Sequence, residues 1–101
     1  MILPTEQAGG SPAPVKFELG RLVATPAALE ALTFDDITTA LARHHRGDWG
    51  DVGREDHAEN ERSLQQGFHL FSVYHGANGT KFYIITEHDR SITTVLLPSD
   101  Y

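Results

Sequence analysis

Apolar residues recur along this chain at two different periods, and the change falls near residue 67. Before it, helical spacing dominates. Thr25-Pro26 places a hydroxyl cap before a proline at the first helical position, and Leu29 and Leu32 follow three apart, which predicts a short helix over 26–32. Thr33 repeats the cap, Asp35 and Asp36 stand in the positive first turn, and Phe34, Ile37 and Leu41 recur at three and four. That pattern predicts a second helix over 34–45, ended by Gly47 in the left-handed conformation. Its last turn holds Arg43, His44, His45 and Arg46, cations where the helix dipole favours them. Arg54 to Gln66 is a third helical run, with Gly67 as its stop, but its apolar residues are only Ala58 and Leu64. Such a helix packs shallowly and leaves most of its circumference in water.

After residue 67 the pattern shortens to that of strands. Phe68–His75, Lys81–Glu87 and Ser91–Leu97 are rich in aromatic and β-branched residues and are separated by turn chemistry. Asn78-Gly79 marks a hairpin, and Glu87-His88-Asp89-Arg90 a second turn. The prediction is an α+β domain, two or three helices followed by a three-stranded antiparallel meander. Val15–Val23, where Phe17 and Leu19 alternate with Lys16 and Glu18, is a short strand or extended arm that would make the sheet four-stranded. Apolar residues on both faces of the meander, among them Ile84 and Ile85, imply cover on both sides or a homodimer. Residues 1–14, with three prolines and two glycines, read as a disordered leader, which leaves 15–101 as a single domain.

Composition narrows the chemistry. The 101 residues include no cysteine, which excludes disulfides, thiolate metal sites and cysteine nucleophiles together. No apolar run approaches the roughly 20 residues of a membrane-spanning helix. Fourteen Asp and Glu against eight Lys and Arg give a net charge of −6, which argues against extended nucleic-acid binding. That charge is concentrated, because residues 48–61 hold six acids and a single arginine.

Three constellations can be weighed for function. His44, His45, Asp48, Asp56 and His57 are the nearest set of metal-ligand types, but adjacent helical histidines point about 100° apart, so no metal and no cofactor is expected. Glu87 as base, Arg90 on phosphate and His44 or His45 as acid would form the minimum set for a barnase-like, metal-independent ribonuclease. The commoner meaning of Glu-x-x-Arg across a turn is a surface ion pair. The third is the glycine-flanked loop around Trp49, whose indole either anchors the loop in the core, the commoner fate, or is presented to a partner. With Asp48, Asp51, Glu55, Asp56 and Glu59 it forms the expected partner-binding set.

Gly20-Arg21-Leu22-Val23-Ala24-Thr25-Pro26, His44-x-x-Gly47-Asp48-Trp49-Gly50, Asn60, Ser72-x-Tyr74 and the run from Gly79 to Tyr101 resemble a family of small uncharacterised bacterial proteins of plasmids and integrative elements. Tyr83 replaces the tryptophan expected before Ile84. The resemblance implies a bacterial, cytoplasmic, mobile-element origin and supplies no activity or catalytic residue. Some members carry the label of a type I restriction endonuclease subunit M. The chain has neither the glycine-rich turn of a methylase cofactor site nor its Pro-Pro-aromatic motif, and it is too short for that fold. The expectation is therefore a non-enzymatic accessory protein that binds a protein partner with a basic surface through the Trp49 loop and the acidic helix. The alternatives are the ribonuclease and an acidic nucleic-acid mimic that blocks a DNA-binding or defence protein.

Overall fold

The first two helices begin where the sequence supplies a side-chain cap. In the computed structural model, which describes residues 14–101, Thr25 Oγ1 accepts from the Ala28 amide at 3.1 Å and opens α1 (Pro26–Ala31). Thr33 and Asp36 form a reciprocal capping box, each side chain on the other's amide at 3.0 Å, and open α2 (Phe34–His45). α3 (Arg54–Gln66) has Gly53 at its N-cap, without a side-chain bond, and ends at Gly67 in the left-handed conformation. The predicted leader lies, except for Pro14, outside the described residues.

The strands are β1 (Arg21–Ala24), β2 (Leu70–His75), β3 (Lys81–Thr86) and β4 (Ile92–Leu96); the last three are each a residue or two shorter than the sequence pattern suggests, and β1 takes up only the end of its predicted segment. A 3-10 turn, Pro98–Asp100, follows β4. The sheet order is β1-β4-β3-β2. β2, β3 and β4 form the expected antiparallel meander, with Leu70 opposite Thr86 and Thr86 opposite Thr93. The predicted arm from Val15 divides: its last part is the fourth strand, and its first part is irregular. β1 lies parallel to β4, Leu22 opposite Thr93, so the sheet is mixed. Gly20 permits this docking, since a Cβ there would lie 2.3 Å from the Ser91 carbonyl oxygen.

Strand alternation sends Tyr74, Phe82, Ile84 and Val95 to one face, where they meet Ala28 and Leu32 from α1 and Ala40 from α2. Ile37 and Leu41 pack against this cluster as their spacing predicts. Phe34 does not, and is 71% exposed. The buried line of α2 runs through Ala40 to His44, so the true inward stripe is displaced from the one suggested by the largest apolar residue. On the other sheet face Phe71 and Tyr83 meet edge to face at 4.9 Å, and Tyr101 stands against Tyr83 at 5.9 Å while remaining 80% exposed. The outer edge of β2 is closed by backbone bonds to the 49–51 loop and by Asn60, whose amide pairs with both the N–H and the C=O of Phe71 at 3.0 and 2.7 Å.

Candidate functional site

Trp49 enters the interior. The indole is 2% exposed, stacks on Phe17 at 6.0 Å, meets His44 edge-on at 5.7 Å and donates its N–H to Glu61 Oε2 at 2.8 Å. Of the two fates weighed for this indole, core anchoring is the one observed, and its place in the partner-binding set is corrected: Trp49 fixes the loop and its side chain is closed to solvent. The loop backbone follows, with the Val73 amide donating to Trp49 O and the Asp51 amide to Val73 O. Gly50 makes that approach possible, at φ +73° and with only 2.0 Å between an added Cβ and Val73 O.

The acids of the predicted surface remain outside. Asp48 takes both a 2.8 Å and a 3.2 Å bond from the Arg43 guanidinium, which holds its carboxyl below the usual carboxylate range. Asp51 accepts from His75 Nδ1 at 2.9 Å, and Glu59 from Arg62 at 2.6 Å. Both are exposed pairs of the kind that contributes at most about 1 kcal/mol. Glu55 and Asp56 occupy the first turn of α3, exposed. Glu61 was not anticipated; an acid twelve residues from the tryptophan it binds gives no local sequence signal.

The ribonuclease set does not assemble. Arg90 spends its guanidinium on backbone carbonyls, donating to Phe68 O at 2.6 Å and Ser63 O at 2.9 Å, and so caps the end of α3. It holds φ +63° to do so. Glu87 is exposed, and among the described residues its carboxylate has no bond to Arg90 or to a histidine. His45 is half-buried and stacks on Phe17 at 6.0 Å. Burial, with Arg46 adjacent, pushes its imidazole below the ordinary histidine value. His44 is 0% exposed and cannot serve an open cleft.

His44 instead organises a buried polar chain. Its Nδ1 lies 2.6 Å from Ser72 Oγ and its Nε2 2.8 Å from Thr86 Oγ1, while Thr86 Oγ1 lies 2.7 Å from Thr93 Oγ1. Thr93 Oγ1 is 2.6 Å from the Leu19 carbonyl, which can only accept. The proton order follows from that end. Thr93 donates to Leu19, so Thr86 donates to Thr93, His44 Nε2–H donates to Thr86, and Ser72 donates to the bare Nδ1. Burial, reinforced by His45 and Arg90, depresses the His44 pKa to about 3. His44 is thus a neutral core residue, which corrects its reading as a cation stabilised by the helix dipole. Among the described residues, Ser63 Oγ is the buried side-chain polar atom left without a partner.

The described residues contain an open cleft of about 210 Å³ between α2 and the β2–β3 hairpin. Asp35, Thr39 and Arg43 line one wall at helical spacing, His75 and Ala77 the other, and Ala40, Tyr74 and Phe82 lie almost wholly buried at its floor. Asp36 ties the two walls together, accepting from Thr33 N at 3.0 Å and Ala77 N at 2.9 Å, bonds that lower its pKa. Gly76 keeps the hairpin close, since a Cβ there would come within 2.8 Å of Asp36 Oδ2. Arg43 lies 4.8 Å above the Tyr74 ring, whose hydroxyl donates to Asp48 O at 2.5 Å.

Among the described residues no three of His, Cys, Asp and Glu gather as a metal site, and no helix is long and apolar enough to cross a membrane. No protein-family model matches the chain, and neither the curated proteins nor the solved structures contain a match to it.

Proposed function

We propose that this chain is a non-enzymatic accessory protein of bacterial mobile elements that binds a protein partner with a basic surface through the 48–53 loop and α3. The observation that carries the binding surface is the way α3 is held. The helix has 13 residues, yet the side chains it buries are Asn60 and Ser63. It contributes little apolar area to the core, and polar bonds fix it instead: Glu61 to the indole, Asn60 to β2, Arg90 to its last carbonyls. A helix held in place with Glu55, Asp56 and Glu59 all in water is suited to presenting charge on a rigid scaffold. Trp49 serves this surface from beneath. The mobile-element origin rests on the sequence resemblance, and the cytoplasm is the compartment it implies.

The test compares the wild-type chain with the E55Q/D56N/E59Q variant as baits for affinity capture from a bacterial host, read by mass spectrometry. Basic proteins captured at low salt, released as salt rises and lost from the variant, are the expected result. An identical captured set for both baits overturns the reading. Displacement of the captured protein by duplex DNA would mark it as one whose DNA site these carboxylates imitate.

A further inference from the structure

The cleft between α2 and the β2–β3 hairpin has a size and a charge that the fold does not use. Its volume of about 210 Å³ falls below the roughly 300–1,000 Å³ of small-molecule sites, and suits a single extended side chain. Asp35 faces it with a carboxylate that has no hydrogen-bond or ion-pair partner among the described residues. Arg43, the cation on its wall, is matched in place by the bidentate bond to Asp48. Asp36 adds negative charge to the lining, and Asp51 stands behind the wall, bonded to His75. The local field therefore favours a cation; the exposed Thr39 and Ala77 line its walls, and Tyr74 and Phe82, almost wholly buried, close its floor. The Asp48–Arg43 and Asp51–His75 pairs join the acidic loop to the residues of the cleft wall.

We infer that this cleft is the specificity pocket of the interaction surface, taking one lysine or arginine side chain of the protein partner. The alkyl stem lies between Thr39 and Ala77, and the cationic head meets Asp35. The inference rests on the basic-partner reading and adds to it a place where a single side chain is recognised by shape.

The probe is a nine-residue peptide of alternating lysine and serine, titrated at low salt into 15N-labelled protein and followed by calorimetry. Amide shifts at Asp35, Thr39, Gly76 and Ala77 are expected, with affinity falling about fivefold in D35N, as for loss of a partly exposed charge-assisted bond. Thr39→Phe fills the cleft from an exposed helix position without changing charge, and a similar loss is expected from it. Thermal melts of both variants establish that they fold. If the peptide binds and E55Q/D56N/E59Q weakens it, while D35N and T39F bind like wild type with shifts confined to α3, the pocket is wrong and the acidic surface stands. If the peptide does not bind the wild-type chain, both fail.

Discussion

His44 Nε2 lies 2.8 Å from Thr86 Oγ1, and that bond is one link in a chain whose direction is set at its far end, where Thr93 donates to the carbonyl of Leu19, 74 residues earlier in the sequence. One consequence is the tautomer. Nitrogen-15 NMR at neutral pH should show His44 protonated at Nε2 and bare at Nδ1. A protonated Nδ1 would contradict the proton order. Thr93→Val removes both the donor to Leu19 and the acceptor for Thr86, and should cost about 1–3 kcal/mol in a denaturant titration.

Acid should destabilise the fold across a defined window. The folded-state pKa of His44 is depressed to about 3, whereas the unfolded chain titrates near 6.5, so between these values the unfolded state binds the extra proton. Stability is full above about pH 6.5 and falls as pH drops towards 3, by at most about 5 kcal/mol from this group. Asp36 and Asp48, both lowered by hydrogen bonds, lose stabilisation in the same direction at the acid end. Urea midpoints measured from pH 7 to pH 4 check the slope. In His44→Gln the slope between pH 6.5 and 4.5 should shrink to the smaller part left by His45, whose pKa burial also lowers.

Trp49→Ala should destabilise by about 3–5 kcal/mol, because it opens a cavity between Phe17 and His44 and releases Glu61. Trp49→Phe retains much of the ring contact and should cost less. A Trp49→Ala protein that melts like wild type would contradict the buried position. Intrinsic fluorescence offers an independent check, since the chain has one tryptophan and its emission should be blue-shifted until unfolding.

Arg90→Ala should cost about 1–3 kcal/mol, since the Phe68 carbonyl loses its donor and the Ser63 carbonyl keeps only the Gly67 amide. Arg90→Lys should rescue little, because one ammonium cannot span the carbonyls that the planar guanidinium reaches. Glu87→Gln, on an exposed side chain, should stay within about 0.5 kcal/mol. Equal melting temperatures for Arg90→Ala and wild type would remove Arg90 from the structure's support.

Gly50→Ala should destabilise by more than about 3 kcal/mol, because φ +73° and a 2.0 Å approach to Val73 O oppose a side chain together. Gly53→Ala meets nothing within 4 Å and should cost only about 0.5–1 kcal/mol, the difference between glycine and alanine at the N-cap of α3. Parallel denaturant curves decide whether the loop is held as described.

Much of the fold is legible because its determinants are local. Thr25-Pro26 and the Thr33/Asp36 box start their helices with atoms three residues away, Gly67 ends α3 through its own φ, and Asn78-Gly79 turns the hairpin. The candidate site is less legible. His44 and Arg90 carry charge in the sequence, which suggests chemistry or solvent, yet their roles depend on Ser72, Thr86, Ser63 and Phe68, brought near only by the sheet and by α3. Phe34 shows the reverse error, since its size suggests the core and its helix face points it away.

The sequence by itself determined the α+β class, the ends of the helices, the meander and the concentration of acid between residues 48 and 61, because periodicity, capping and charge act over one or two turns of chain. Only the tertiary structure decided that β1 runs parallel to β4, that Trp49 faces inward, that His44 is a neutral link in a buried chain, and that Asp35 and His75 share a cleft. Each of these depends on which polar groups lose water together, and a buried polar group is tolerated only where a distant segment supplies its hydrogen-bond partner.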